Sequence, residues 1–261
     1  MKNKVFIFII FSFTYNLVYT QNNKLELFLK TTPDIIYNGI KVTVKKSTFY
    51  ELEIKQPLDH NDKTEGHFYQ LVYLTHRGFK EKTVMAIEGY SIVPNTQYEL
   101  TKILKGNQIN IEHRFFGKSL PDSLNYKYLN LEQASTDLHH IHELFKDIYP
   151  DKWVSTGISK GGTSSLFYKY FYPEDVSACV AYVAPLANSI EDKRIYNFLD
   201  TVGTDICRQK IKSFQSRLLE NRDQVIPILE NLYNEKGYEF TYLTFEESFE
   251  YSVLEFSFSV W

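Results

Sequence analysis

The stretch KWVSTGISKGGTSSLFYKYFY, beginning at Lys152, constrains this chain more than any other. An apolar run leads straight into Gly157, Ile158, Ser159, Lys160 and Gly161, and helical spacing starts straight after it. A strand-to-helix turn this tight needs small residues beside its apex, so that the two backbones can approach without clash. It also points the free N–H groups and positive dipole end of the helix at whatever the apex carries. That is the arrangement of a nucleophile elbow: Ser159 is the candidate nucleophile, and Lys160 lends its backbone N–H to an oxyanion hole. The competing reading is a structural serine in a Gly-rich turn. A second oxyanion donor is expected from the loop after an earlier strand. MAIEGYSIV offers the N–H of Gly89 or Tyr90, against a plain turn glycine.

The surroundings of the turn give the fold class. Residues 48–54 and 67–75 read as antiparallel strands around the turn-rich PLDHNDKTEG. TVMAIEGY is a buried strand, residues 96–104 a helix, and NQINIEHRFFG another strand. Apolar residues at Leu138, Ile141, Leu144, Phe145 and Ile148 mark a helix over 131–149 that Pro150 stops. KWVSTG, residues 160–172 and VSACVAYVAP continue as strand, helix and strand. This alternation predicts an α/β chain with a mostly parallel sheet, crossover helices and an antiparallel N-terminal edge. After Pro185 the pattern becomes helical, over 189–199, 205–219, 222–233 and 249–261. Four helices without a strand suggest an insertion on the sheet.

The first residues, MKNKVFIFIIFSFTYNLVYT, have a basic start, a short apolar run and small residues before polar ones, the pattern of a signal peptide over 1–20. This predicts a secreted or periplasmic protein with no membrane association after cleavage. The net charge of -3 gives no reason to expect a nucleic-acid partner. The two cysteines, Cys179 and Cys207, fit no metal motif, and Cys179 reads as a buried core residue. No cofactor is implied, and the oligomeric state is not legible.

Three segments taken together carry a resemblance: QPLDH at Gln56, EHRFFGKSLP at Glu112, and WVSTGISKGGTSSLFYKYFYPEDVSACVAYVAPL at Trp153. From about Phe49 onward the chain resembles the secreted prolyl tri/tetrapeptidyl aminopeptidases, serine peptidases distantly similar to prolyl carboxypeptidases. The resemblance implies an α/β-hydrolase fold over 21–187, with the start of a helical cap over 188–261. It also implies a peptide substrate cleaved after proline near its free N-terminus.

A serine nucleophile needs a base, and the α/β-hydrolase order is serine, acid, then histidine. All seven histidines of this chain (His60, His67, His76, His113, His139, His140 and His142) precede Ser159. The expectation is an N-terminal part of a longer enzyme, inactive alone. A non-catalytic peptide-binding relative and an esterase are the alternatives. His139 and His142 can share a helix face, but no zinc-like signature accompanies them, so a satisfied histidine pair is expected and no metal site. Arg114 is read as bracing the elbow through Glu112 or a nearby carboxylate, with a substrate contact as the alternative. Glu88 is a loop carboxylate or a receiver for a peptide's ammonium group. The aromatic run FTYLTFEESFEYSVLEFSFSVW fits ordinary helix packing as well as a proline pocket.

Overall fold

The computed structural model describes residues 24–39, 41–44, 47–94 and 96–261. The segment read as a signal peptide lies outside the described residues. No helix among those described is long and apolar enough to cross a membrane. The chain divides into two compact units, Met1–Leu186 and Ala187–Trp261.

The first unit holds one eight-stranded sheet in the order β1-β3-β4-β6-β5-β7-β8, with β2 also paired to β3. The strands are β1 (Ile35–Ile36), β2 (Lys41–Val44), β3 (Ser47–Pro57), β4 (His67–His76), β5 (Thr83–Ile87), β6 (Asn107–Ile111), β7 (Trp153–Ile158) and β8 (Ala178–Tyr182). β6, β5, β7 and β8 run parallel. β1 to β4 form the antiparallel side, larger than the strand pair expected from sequence. The helices of this unit are α1 (residues 24–31), α2 (Glu99–Leu104), α3 (Leu131–Phe145) and α4 (Lys160–Phe171). The strand order and the crossovers make this an α/β-hydrolase-like fold.

Each strand shows why its sequence suits its place. β3 alternates strictly, burying Thr48, Tyr50, Leu52, Ile54 and Gln56 and leaving the residues between them partly exposed. That period of two belongs to a strand with one covered face. β5 and β6 are buried at every position, as central strands must be. α3 starts on Asn130, whose side chain accepts from the N–H of Gln133. It ends at Phe145, earlier than expected, and residues 146–148 continue as turns ahead of Pro150. Leu25, Leu29, Ile141, Phe145, Tyr149 and Tyr168 form one core with the sheet residues. His76 is inside it, sharing a 2.9 Å hydrogen bond with the Tyr149 hydroxyl. Burial pushes this imidazole down to about 4.

Cys179 corrects one expectation. It lies in β8, the last strand of the described sheet, and is only half-buried because one strand edge has no neighbour there. Both cysteines are free.

The second unit is helical: α5 (Lys193–Thr201), α6 (Asp205–Glu220), α7 (Arg222–Glu235) and α8 (Phe245–Val260). α8 opens with a capping box between Thr244 and Glu247. α6 and α8 pack through Phe214 and Phe256, with ring centres 4.8 Å apart, and bury Ile211, Phe249 and Val253. Gly203, at φ +67°, turns α5 into α6 with the Trp261 ring directly against it. A side chain there meets both a strained backbone and an indole.

Candidate active site

The elbow follows from where its glycines sit. β7 ends at Ile158 and α4 begins at Lys160, so Ser159 alone makes the turn. Its backbone adopts φ +54°, ψ −124°, a conformation that a residue with a side chain rarely holds. Its N–H bonds the Tyr182 carbonyl of β8 at 2.9 Å, and its own carbonyl accepts from Thr163 at 3.0 Å. The side chain is exposed. A Cβ on Gly157 would lie 2.3 Å from the Gly161 carbonyl group. One on Gly161 would lie 2.3 Å from the Ile87 carbonyl oxygen. Both obstacles are backbone, so neither can swing aside. Gly161→Ala is therefore expected to cost about 1–3 kcal/mol or more by overpacking and to displace the end of β5. Urea unfolding and a one-residue change in reactivity at Ser159 check this together.

Gly89 is close to the elbow. A Cβ placed on it would lie 2.7 Å from the Lys160 Cβ and 2.8 Å from the Gly161 nitrogen. Its role is close approach, not a left-handed turn. The first N–H groups of α4 have no helix carbonyl to receive them, and they sit beside this loop. The Lys160 side chain contributes as well. Its ammonium stands 4.7 Å from the Tyr90 ring centre and 4.2 Å from that of Phe116. Partial burial lowers its pKa. The cation thereby clamps the elbow to both neighbouring loops, a contact that sequence reading missed.

In the EHRFFG motif Arg114 takes the nearby carboxylate of the two partners expected for it. Arg114 pairs with Asp137 on α3, not with Glu112: Nε donates to Oδ2 at 2.7 Å and an Nη donates to Oδ1 at 2.7 Å. Its other N–H groups donate to the carbonyls of Pro57, Leu58 and Tyr128. The guanidinium is fully buried and all five donors are used internally, so it has none left for a substrate. His60 also bonds Asp137, at 2.7 Å. Burial raises the Asp137 pKa, but the Arg114 charge and these hydrogen bonds outweigh it and hold the carboxyl below its usual range. Glu112 instead accepts from the N–H groups of Ile92, Lys118 and Ser119 and from the Ser119 hydroxyl. It ties the loop after Gly89 to the turn at Gly117, whose missing Cβ leaves room for that carboxylate. Glu88 is half-buried and accepts the Tyr98 hydroxyl at 2.8 Å.

Six of the seven histidines are engaged with groups away from the elbow. His60 meets Asp137, His76 meets Tyr149, His140 meets Gln56, and His139 and His142 meet Asp175. His67 meets the Tyr69 ring edge-on, with ring centres 5.5 Å apart. His113 lies at the end of β6, on the same side as the elbow, with Nδ1 bonded to the Arg114 carbonyl. Burial pushes it down to about 4.

The profile of the PS-10 peptidase S37 family matches residues 36–261. The chain belongs to this family. It is 34% identical over 210 residues to a prolyl tri/tetrapeptidyl aminopeptidase of Streptomyces mobaraensis, covering 79% of this chain and 44% of that protein. A prolyl carboxy peptidase like protein 5 of Caenorhabditis elegans is 28% identical over 133 residues, covering 44% of this chain and 26% of that one. This S37 chain thus spans less than half the length of the curated relatives it matches. Among solved structures, an acetyl xylan esterase 1 from Thermoanaerobacterium aligns with 15% identity and a TM-score of 0.45, over 74% of this chain and 64% of that one. The fold of the S37 chain is read from its own strand order.

Proposed function

We propose that the whole protein is an exported serine peptidase that hydrolyses peptide bonds after proline, near the free N-terminus of its substrate. The observation that carries the serine chemistry is the strained, exposed Ser159 at the apex between β7 and α4. The proline preference is supported by the likeness to the prolyl tri/tetrapeptidyl aminopeptidase of Streptomyces mobaraensis.

In this reading the Ser159 hydroxyl oxygen attacks the carbonyl carbon on the proline side while a base takes its proton. The resulting oxyanion accepts from the N–H of Lys160 and from that of Gly89 or Tyr90. The base then returns the proton to the departing amine, leaving an acyl-enzyme that water hydrolyses. None of the seven histidines here supplies that base. We assign base and acid to the part of the fold that corresponds to the remaining length of the relatives. Glu88 is the carboxylate proposed to receive the substrate's ammonium group.

Two assays separate this from its alternatives. The product of the complete reading frame is expected to hydrolyse a proline tripeptide far faster than short acyl esters. The reverse preference indicates an esterase. Residues 1–261 by themselves, shown to be folded, are expected to run slower by roughly 10⁴–10⁶, as when triad members are lost. A complete product that binds proline peptides without cleaving them would establish the binding-protein reading instead.

A further inference from the structure

We propose that His139, His142, Glu143 and Asp175 form a binding site for one divalent transition cation of the zinc class. The first three lie on one face of α3, at positions i, i+3 and i+4. Asp175 comes from the loop between α4 and β8. One ligand atom from each of the four lies within 4.8 Å of every other. Two imidazoles with two carboxylates form a nitrogen and oxygen set that suits zinc, not the all-oxygen cage that calcium or magnesium takes.

The details point to a cation. His142 Nδ1 is buried and has no hydrogen-bond partner. It stands 3.6 Å from an Asp175 oxygen and 3.6 Å from a Glu143 oxygen, too far to bond either and suited to sharing an ion between them. Neighbouring side chains already orient these groups. Tyr168 donates its hydroxyl to Asp175 Oδ2 at 2.7 Å, and Lys146 takes the other Glu143 oxygen at 2.6 Å. The His139 ring stacks on Tyr172 with centres 4.1 Å apart, and His142 meets the edge of Trp153. Such outer contacts fix the orientation of metal ligands. His139 and Glu143 also line a cavity of about 480 Å³, which gives an ion a way in. The direct 2.7 Å bond between His139 Nδ1 and Asp175 is the metal-free arrangement. Loading inserts the cation there and releases the shared Nδ1 proton to solvent.

The site lies at the amino ends of β7 and β8, while Ser159 is at the carboxyl end of β7. Its role is to tie α3 to the α4–β8 loop, not to serve the reaction. Spacing along the chain does not show this grouping, because Asp175 is distant in sequence from the histidine pair.

Cobalt(II) titration of the full chain tests this. The expected result is one ion per chain with the visible absorption of a four-coordinate nitrogen and oxygen site, displaced by zinc. Tyr168→Phe removes only an outer hydrogen bond and is expected to weaken binding about 10–100-fold. Glu143→Gln, at a partly exposed position that leaves the fold intact, is expected to weaken it as well, and His67→Ala to leave it unchanged. A folded chain that binds no cobalt or zinc overturns the proposal. So does binding that survives Glu143→Gln and Asp175→Asn unchanged, or that is lost on His67→Ala.

Discussion

Ser159→Ala, made in the product of the complete reading frame, is expected to lower kcat/KM by about 10⁴–10⁶ while leaving peptide binding within a few fold. The hydroxyl is the atom that forms the acyl bond, and no other group at the turn can replace it. The fold should not suffer, since the side chain is exposed and its loss leaves no cavity. Ser159→Gly sharpens the result. It removes the same oxygen and relieves the φ +54° strain, so it should be equally inactive yet more stable by on the order of 1 kcal/mol. Inactivity together with increased stability is the signature of strain kept for function. A serine that merely filled a turn would show no loss of rate in either variant.

The second large effect is expected at the Arg114–Asp137 pair. Arg114→Ala should cost about 3–5 kcal/mol in urea unfolding, because it leaves the Asp137 carboxylate buried with only His60 beside it. Arg114→Lys should recover little, since one ammonium cannot reproduce five donors aimed at Asp137 and three carbonyls. Asp137→Asn separates charge from shape. The Asp137 carboxyl is held below its unfolded range, so its stabilisation is present above an unfolded pKa of about 4 and is lost as pH falls through the lower folded value. The gap in stability between wild type and Asp137→Asn should therefore be widest near neutrality and narrow in acid. A gap that is the same at every pH would remove the ion pair from the explanation.

The elbow was legible in sequence because everything it needs is local. Gly157 and Gly161 are required by contacts four residues apart or with the neighbouring strand end, and the apolar run and helical spacing flank them directly. The four helices after Pro185 were legible for the same reason, through their spacing. What escaped was set by distance along the chain. KVTV has β-branched strand formers, but it is only four residues long, all exposed, and its pairing with β3 is set outside its own sequence. Asp137, the partner of Arg114, sits on α3 among ordinary helix residues, and Glu112, the carboxylate next to Arg114 in sequence, faces a different loop. The Lys160 cation between Tyr90 and Phe116 requires three loops to meet, which no spacing rule encodes.

One measurement addresses the central claim directly. A peptidyl phosphonate with proline at the reacting position is incubated with the product of the complete reading frame, and the adduct is mapped by tandem mass spectrometry. The predicted result is a single adduct on the Ser159 hydroxyl. An adduct on another residue, or none from a preparation that hydrolyses proline peptides, would contradict it.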